Sequence, residues 1–231
     1  GVIPGFLQSL GVQYTGSKTE ASAICMDKRI SKALVHRKDL LTPNWVSLAN
    51  NDPLPSVGDM VFPVVIKPND QGSTIGLTVV KDESELDNAI ELARQFANVV
   101  LIEEFIVGKE ITVTVIGDKA YPIVEIVPSH GLYDYECKYN KGMTEYFCPA
   151  NIDKDLTKAI QESALKIHKL LGCRHYSRVD FRLDKNGRAW FLELNTLPGM
   201  TETSLVPKSA KASGLSFPEL IQTIINEALE N

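Results

Sequence analysis

The chain has 231 residues, 44% of them apolar and 23% charged, with a formal net charge of −5. That length and balance fit a globular protein with one large core or two smaller ones. They exclude two classes: no basic block or stripe marks a nucleic-acid partner, and no apolar run is long enough for a membrane span or a signal peptide. Cys25, Cys137, Cys148 and Cys173 are scattered without a CxxC pair, which fits reduced thiols better than a disulfide scaffold or a zinc site.

The opening stretch, "GVIPGFLQSLGVQYTGS", carries a short helical pattern (Phe6, Leu7, Leu10) closed by Gly11. A helix with nothing before it to pack on implies that the chain starts inside a larger protein. Next, "VVIKPNDQGSTIGLTVV" reads as a strand ending at Lys67, a loop with Gly72 and Gly76 around Ser73 and Thr74, and a second strand. Gly-rich turns present backbone N–H groups to anions. The loop is not a Walker motif, because GxxxxGK[ST] is absent and a strand follows it. A flexible hairpin loop is the competing reading; Lys67 at the strand end favours phosphate. Lys28, in "MDKRISKAL", offers a second cation.

"DESELDNAIELARQF" predicts a helix with Asp82 at its N-cap and Glu85 three residues on. "NVVLIEEFIVGKEITV" places Glu103, Glu104 and Glu110 around a short connection. Such residues accept from ribose hydroxyls, although solvated surface charges read the same way. A hairpin follows in "EITVTVIGDKAYPIVEIV", turning at Gly117-Asp118-Lys119. "GLYDYECKYNKGMTEYF" is a long polar segment dense in tyrosine, with Lys138 and Tyr139 inside it. Loops of that length are functional or disordered, and the aromatic residues argue for one that packs onto something. Helices are predicted in "DKDLTKAIQESALKIHKLLG" from Asp153, in "SLVPKSAKASG" with Ser204 as N-cap, and in "SFPELIQTIINEAL" with Ser216 as N-cap. Strands pairing antiparallel, without a regular βαβ alternation, make the fold class α+β, with two sub-domains meeting near residues 104–110.

"RVDFRLDKNGRAWFLELN" is the stretch richest in chemistry. If residues 184–187 form the turn, Leu183 pairs with Arg188, Phe191 lies opposite Asp180, and Glu193 lies opposite Arg178. Arg178, Asp180, Glu193 and Asn195 then share one face, with Val179, Phe181, Leu192 and Leu194 on the other. Two carboxylates and an amide oxygen are hard donors suited to Mg²⁺. A solvated sheet face with a cross-strand Arg178–Glu193 pair is the alternative. A helix beginning at Ser204 and Leu205 would turn its N–H groups toward a carboxylate, or be capped by Ser204 itself.

Taken in order, "YTGS", "MDK", "IKPNDQGSTIG", "IEEFIVGKE", "YDYECKY", "YFCPA", "SRVDF" and "LELNTLPGMTETSLVP" resemble the ATP-grasp superfamily, and within it the D-alanine–D-alanine ligases. The match runs from about Tyr14 to the end of the chain. The resemblance implies an ATP-grasp fold, two α+β sub-domains whose antiparallel sheets sandwich the nucleotide. It implies residues 1–16 as the tail of an N-terminal domain, 17–106 as the central sub-domain and 107–231 as the C-terminal one. The implied reaction joins two D-alanines through an acylphosphate at the expense of ATP, for peptidoglycan precursors in a bacterial cytoplasm. Lys28 and Lys67 match the phosphate lysines, and Gly72 and Ser73 the loop over the phosphates. Glu103, Glu104 and Ile106 match the adenine-reading strand, and Glu110 the ribose acceptor. Asp180, Glu193 and Asn195 match the ligands of Mg²⁺, two ions in the family's usual arrangement, with Mn²⁺ a substitute. Arg178 and the Gly199 N–H match oxyanion donors, while Ser204 and Leu205 match the seat of the second D-alanine's carboxylate. Lys138 matches a residue reaching the transferred phosphate, and Tyr139 one associated with D-alanine rather than D-lactate.

One departure qualifies this. The family's N-terminal domain, which carries the anchor for the first D-alanine's ammonium, has no counterpart by motif in these residues. The resemblance therefore implies a chain that binds Mg²⁺-ATP but ligates poorly or not at all by itself. An ATP-grasp ligase of other amino acids or D-lactate, and a non-catalytic nucleotide-binding module, are the alternatives. Full-length members of the family are usually homodimers.

Overall fold

The computed structural model describes residues 1–50, 52–53, 61–129 and 143–230. Three helices open it: α1 (Val2–Ser9), α2 (Thr19–Met26) and α3 (Lys28–His36). Strands β1 (Trp45–Ala49), β2 (Val64–Pro68) and β3 (Thr78–Val80) follow, then α4 (Leu86–Arg94) and β4 (Val99–Glu104). These four strands form one antiparallel sheet in the order β1-β4-β2-β3. Val64, Ile66, Val100 and Ile102 alternate with Val65, Lys67, Leu101 and Glu103, so one face is apolar. That face is covered by Leu86, Ala89, Ile90 and Ala93 of α4. Asp82 accepts from Ser84 N at 2.9 Å, starting a single 3₁₀ turn that leads into α4.

The second sheet is built from β5 (Gly108–Ile116), β6 (Lys119–Ala120), β7 (Val124–Pro128), β8 (Thr144–Phe147), β9 (Tyr176–Asp184) and β10 (Ala189–Asn195). Its path is β10-β9-β5-β7-β8, with β6 hairpinned onto β5, and every pairing is antiparallel. Helix α5 (Lys154–Leu170) packs Ile160, Ala164 and Ile167 on Ile111, Val113, Val179 and Phe181. Its N-cap, Asp153, accepts from the backbone N of Asp155 and Leu156, as the sequence predicts. Cys25 of α2 and Val35 of α3 are buried in this same core, so these two helices lean on the second sheet, although the central sub-domain as read from the sequence begins at residue 17. Helices α6 (Leu205–Ala212) and α7 (Phe217–Glu230) close the far end; Ser216 N donates to Glu219 Oε2 at 2.7 Å in the expected capping arrangement.

The chain crosses from one sheet to the other between Glu104 and Gly108. At Gly108 (φ +156°) an added Cβ would stand 2.0 Å from the Leu183 carbonyl oxygen, so the crossing brings two backbones together where only glycine fits. Among the described residues, no helix is long and apolar enough to cross a membrane.

Candidate functional site

The register of the β9–β10 hairpin differs from the sequence expectation. The turn spans Lys185, Asn186 and Gly187 (φ +76°), with Asp184 N donating to Arg188 O, and Leu183 therefore pairs with Ala189. Phe191 lies opposite Phe181, Glu193 opposite Asp180 and Asn195 opposite Arg178, with Leu192 bulged between. The bulge has a clear physical reason. Phe191 and Leu194 are three apart and could not share a face of a regular strand, yet both are buried in the core. One extra residue lets both turn inward, and it turns Leu192 outward beside Glu193, where both line the cleft. Leu192 thus leaves the core face to which the sequence register assigns it, whereas Arg178, Asp180 and Glu193 share the cleft face as expected.

That face looks across at Val65, Lys67 and Glu103 of the first sheet, and the open cleft between the sheets spans about 1000 Å³ with the solvent at its mouth included. At one end stand the cations. Lys28 Nζ donates to the Gln71 carbonyl at 2.6 Å and lies 3.1 Å from Glu193 Oε2. Lys67 Nζ lies 2.8 Å from Glu103 Oε1. Over them bends the loop 72–76, in which Ser73 (φ 56°) and Thr74 (φ 62°) both take left-handed backbone. Each such non-glycine residue costs on the order of 1 kcal/mol, a strain that turns successive N–H groups and clusters at ligand sites. Gly76 (φ +68°) ends the loop between Phe96 and Pro68; a Cβ there would come within 2.7 Å and 2.9 Å of them.

At the other end are the connection 104–106 and Glu110. Asn44 Nδ2 donates to Glu104 Oε2 at 3.1 Å. Arg182 Nε donates to the Ile106 carbonyl at 3.2 Å and its NH1 to Glu110 Oε2 at 3.3 Å, while its guanidinium lies over the Phe105 ring at 5.5 Å. Between the two ends lies Asp180. Its oxygens accept from Arg178 Nε at 2.9 Å and Arg178 NH2 at 2.8 Å, from Thr112 Oγ1 at 2.5 Å and from Asn195 Nδ2 at 3.0 Å. The donor set of two carboxylates and a neighbouring amide is hard-oxygen in character, and it fits Mg²⁺ completed by phosphate oxygens and water. Among the described residues no group of three or more His, Cys, Asp or Glu side chains could hold a metal by itself. A metal here would accordingly depend on the amide and on a ligand.

Glu103 is expected at the adenine-reading strand. It lines the cleft, but both its oxygens are committed: Oε1 to Lys67 and Oε2 to Lys32 Nζ at 2.7 Å. Burial pushes its carboxyl up, and the two lysine charges outweigh this and hold it below the usual carboxylate range. Ser204 is the N-cap of α6 by backbone, yet its side chain makes no capping bond. Its Oγ instead accepts from Thr201 N at 3.1 Å, so the self-capping alternative does not hold. Leu205 reaches the cleft lining; Gly199 packs beside Ser204, whose Oγ would be 3.1 Å from an added Cβ. Lys138 and Tyr139 lie outside the described residues.

Sequence reasoning missed Lys32, Thr42, Thr112 and Arg182. Arg182 carried a signal: it is two residues beyond Asp180 in "RVDFR" and so must share its face. Lys32 is four residues beyond Lys28, which puts both on one side of a helix.

A family model described as D-ala D-ala ligase C-terminus matches residues 34–226. The chain is 45% identical over 225 residues to the D-alanine–D-alanine ligase of Methylacidiphilum infernorum, covering 97% of this chain and 73% of that one. It is 42% identical over 226 residues to that of Aquifex aeolicus, covering 97% and 77%. Among solved structures, the ATP complex of the Bacillus anthracis D-alanine–D-alanine ligase superimposes with a TM-score of 0.89 at 34% identity, over 100% of this chain and 75% of that one. The VanG D-Ala:D-Ser ligase of Enterococcus faecalis gives 0.89 at 34% identity, over 99% and 68%. With two antiparallel sheets closing on a cleft of cations and carboxylates, and with these relatives, the chain belongs to the D-alanine–D-alanine ligase family and has its ATP-grasp fold.

Proposed function

We propose that the chain carries the nucleotide site and second-substrate site of an ATP-dependent ligase that joins two D-alanines. The observation behind this reading is the cleft itself, where Lys28 and Lys67 gather at the strained loop and Asp180 and Glu193 face them from the other sheet. ATP lies between the sheets of two sub-domains, 17–106 and 107–231, its adenine against residues 104–106 and its ribose at Glu110. Its phosphates meet Lys28, Lys67 and the N–H groups around Gly72 and Ser73. Asp180, Glu193 and Asn195 would hold Mg²⁺, as one ion or two. Bound there, the metal would neutralise charge on the phosphate oxygens.

Transfer of the γ-phosphoryl group to the carboxylate of the first D-alanine breaks the bond between the γ-phosphorus and the β–γ bridging oxygen, releases ADP and forms an acylphosphate. The neutral amine of the second D-alanine then attacks its carbonyl carbon, phosphate leaves with its bonding electron pair, and the nitrogen gives up a proton to the departing phosphate or water. The protein's part is positioning and charge neutralisation. Asp180 fixes the Arg178 guanidinium in place through two hydrogen bonds, aiming it with the Gly199 N–H at the oxyanion of the tetrahedral intermediate. One such donor contributes about 3 kcal/mol. The α6 N-terminus, left uncapped by Ser204, receives the second D-alanine's carboxylate.

A second reading, a ligase taking D-serine as second substrate, comes from the D-Ala:D-Ser ligase, whose fold superimposes as well as that of the ATP complex. The test is D-alanine-dependent phosphate release and dipeptide formation, measured on the 231-residue chain and on the same chain joined to the N-terminal quarter of a relative. D-Serine, D-lactate and L-alanine serve as competing second substrates. The expected result is ATP binding by both proteins and D-alanyl-D-alanine formed by the joined one, with D-alanine preferred. ATP binding without D-alanine-dependent turnover in either protein would make the chain a non-catalytic nucleotide module.

A further inference from the structure

Beneath the cleft, four polar contacts run in series from one sheet to the other. Lys67 Nζ lies 2.8 Å from Glu103 Oε1, and Glu103 Oε2 lies 2.7 Å from Lys32 Nζ. Lys32 Nζ donates to Thr42 Oγ1 at 2.7 Å, and Thr42 Oγ1 donates to the Phe191 carbonyl at 2.9 Å. All are buried, and Lys32 is 0% exposed. The Trp45 ring closes over its ammonium at 5.1 Å.

Lys32 has no part in the reaction above, and burying it is expensive. Replacing buried ionic groups with apolar ones of similar volume is often neutral or stabilising, so stability alone is a weak account of its presence. Charge arithmetic offers a better one. Lys67 with Glu103 alone sums to zero, which would leave the phosphate end of the cleft without the charge that Lys67 brings. Adding Lys32 makes the trio +1. Lys32 also holds one Glu103 oxygen from the side away from Lys67, and through Thr42 it ties the trio to the β10 residue beside the bulge that turns Glu193 outward.

We propose that Lys32 is a positioning residue for the phosphate end of the nucleotide site. It offsets Glu103 so that the Lys67 charge stays available to a bound anion, and it locks that pair to the strand carrying Glu193. The inference rests on the reading that ATP occupies the cleft. Burial lowers the Lys32 ammonium to about 8, against the opposing pull of Glu103, which leaves it charged at neutral pH.

The test is titration of ATP with Mg²⁺ at pH 7 into the wild-type chain, Lys32→Met, Lys32→Gln and the double variant Lys32→Met/Glu103→Gln, each checked by thermal melting. Lys32→Met fills the same space and leaves Glu103 paired with Lys67; the melt establishes that the variant is folded at the temperature of the titration. Its ATP dissociation constant rises about tenfold, as expected when a unit charge several ångströms from an anion is lost in a site of intermediate dielectric. Lys32→Gln, which keeps a donor for Thr42 but not the charge, shows a similar loss. The double variant restores the net charge of the trio and returns the affinity to within about threefold of wild type, a coupling that a merely structural role would not produce. Wild-type affinity in Lys32→Met, or a double variant as weak as the single one, overturns the inference alone. A wild-type chain that binds no ATP overturns the nucleotide reading and this inference with it.

Discussion

Arg182 is the residue that organises the end of the cleft proposed above for adenine. It donates to the Ile106 carbonyl, pairs with Glu110 and lies over the Phe105 ring, so one side chain holds the crossing segment, the Glu110 carboxylate and an aromatic ring in a single arrangement. Arg182→Met keeps the length and loses all three. ATP affinity should fall about tenfold, in line with the energy of a lost charged hydrogen bond, while the affinity for inorganic tripolyphosphate, which uses only the opposite end, stays unchanged. Calorimetric titration with both ligands checks this; equal losses for both would show that Arg182 acts on the whole cleft. Strand alternation made Arg178 and Asp180 legible as a pair on one face, but Glu193 joins them only because two differences from the expected register cancel in the face they present. The turn is shifted by one residue, and the bulge at Leu192 shifts the pairing by one more, which returns Glu193 to the side of Asp180. Lys32 was not legible, because the buried face of its helix is Lys28, Ser31, Lys32 and Val35 while Ile30 is exposed. Apolar periodicity, the main helix signal, points the wrong way there.

Among the elements, α4, α5 and α7 were legible from caps and apolar spacing, whereas the β9–β10 register was not. A bulge is a response to tertiary packing, here the joint demand of Phe191 and Leu194, and the isolated hairpin does not contain that demand. Helix α5 is joined to β9 by a buried contact, His168 Nδ1 to Ser177 Oγ at 2.7 Å. Burial lowers the His168 imidazole to about 4, with Lys169 reinforcing the shift. Because the folded value lies below the ordinary one, the unfolded chain binds the proton more readily. Stability is therefore intact above about pH 6.5 and lost as the pH falls toward 4, by on the order of 3 kcal/mol from this group. Denaturant melts at pH 7 and pH 4.5 should show that loss in the wild type and a smaller one in His168→Gln; equal losses would place the acid sensitivity elsewhere. At the crossing, Gly108→Ala would drive its Cβ into the Leu183 carbonyl, and it should cost about 3 kcal/mol or more, read as a lowered melting temperature.

At the scale of the molecule, each sheet gives one face to its own core and the other to the cleft, so two separate cores are needed to build one site. That division follows from the period-2 patterns of β2, β4, β5 and β9. The lean of α2 and α3 onto the second sheet does not, because it depends on Cys25 and Val35 finding partners far along the chain. The chain spans about three-quarters of the length of the relatives it matches, and every residue assigned above to ATP lies within it. The most direct measurement is therefore calorimetric titration of ATP into the 231-residue chain, with Mg²⁺ and with the metal removed by chelator, for the wild type and Glu193→Gln. Metal-dependent binding by the wild type is expected. In Glu193→Gln the affinity should fall by at least about tenfold, the lower end of what a lost supporting contact costs a metal site, with the melting temperature nearly unchanged. Nucleotide binding that ignores both the chelator and the substitution would contradict the assignment of these residues to Mg²⁺-ATP.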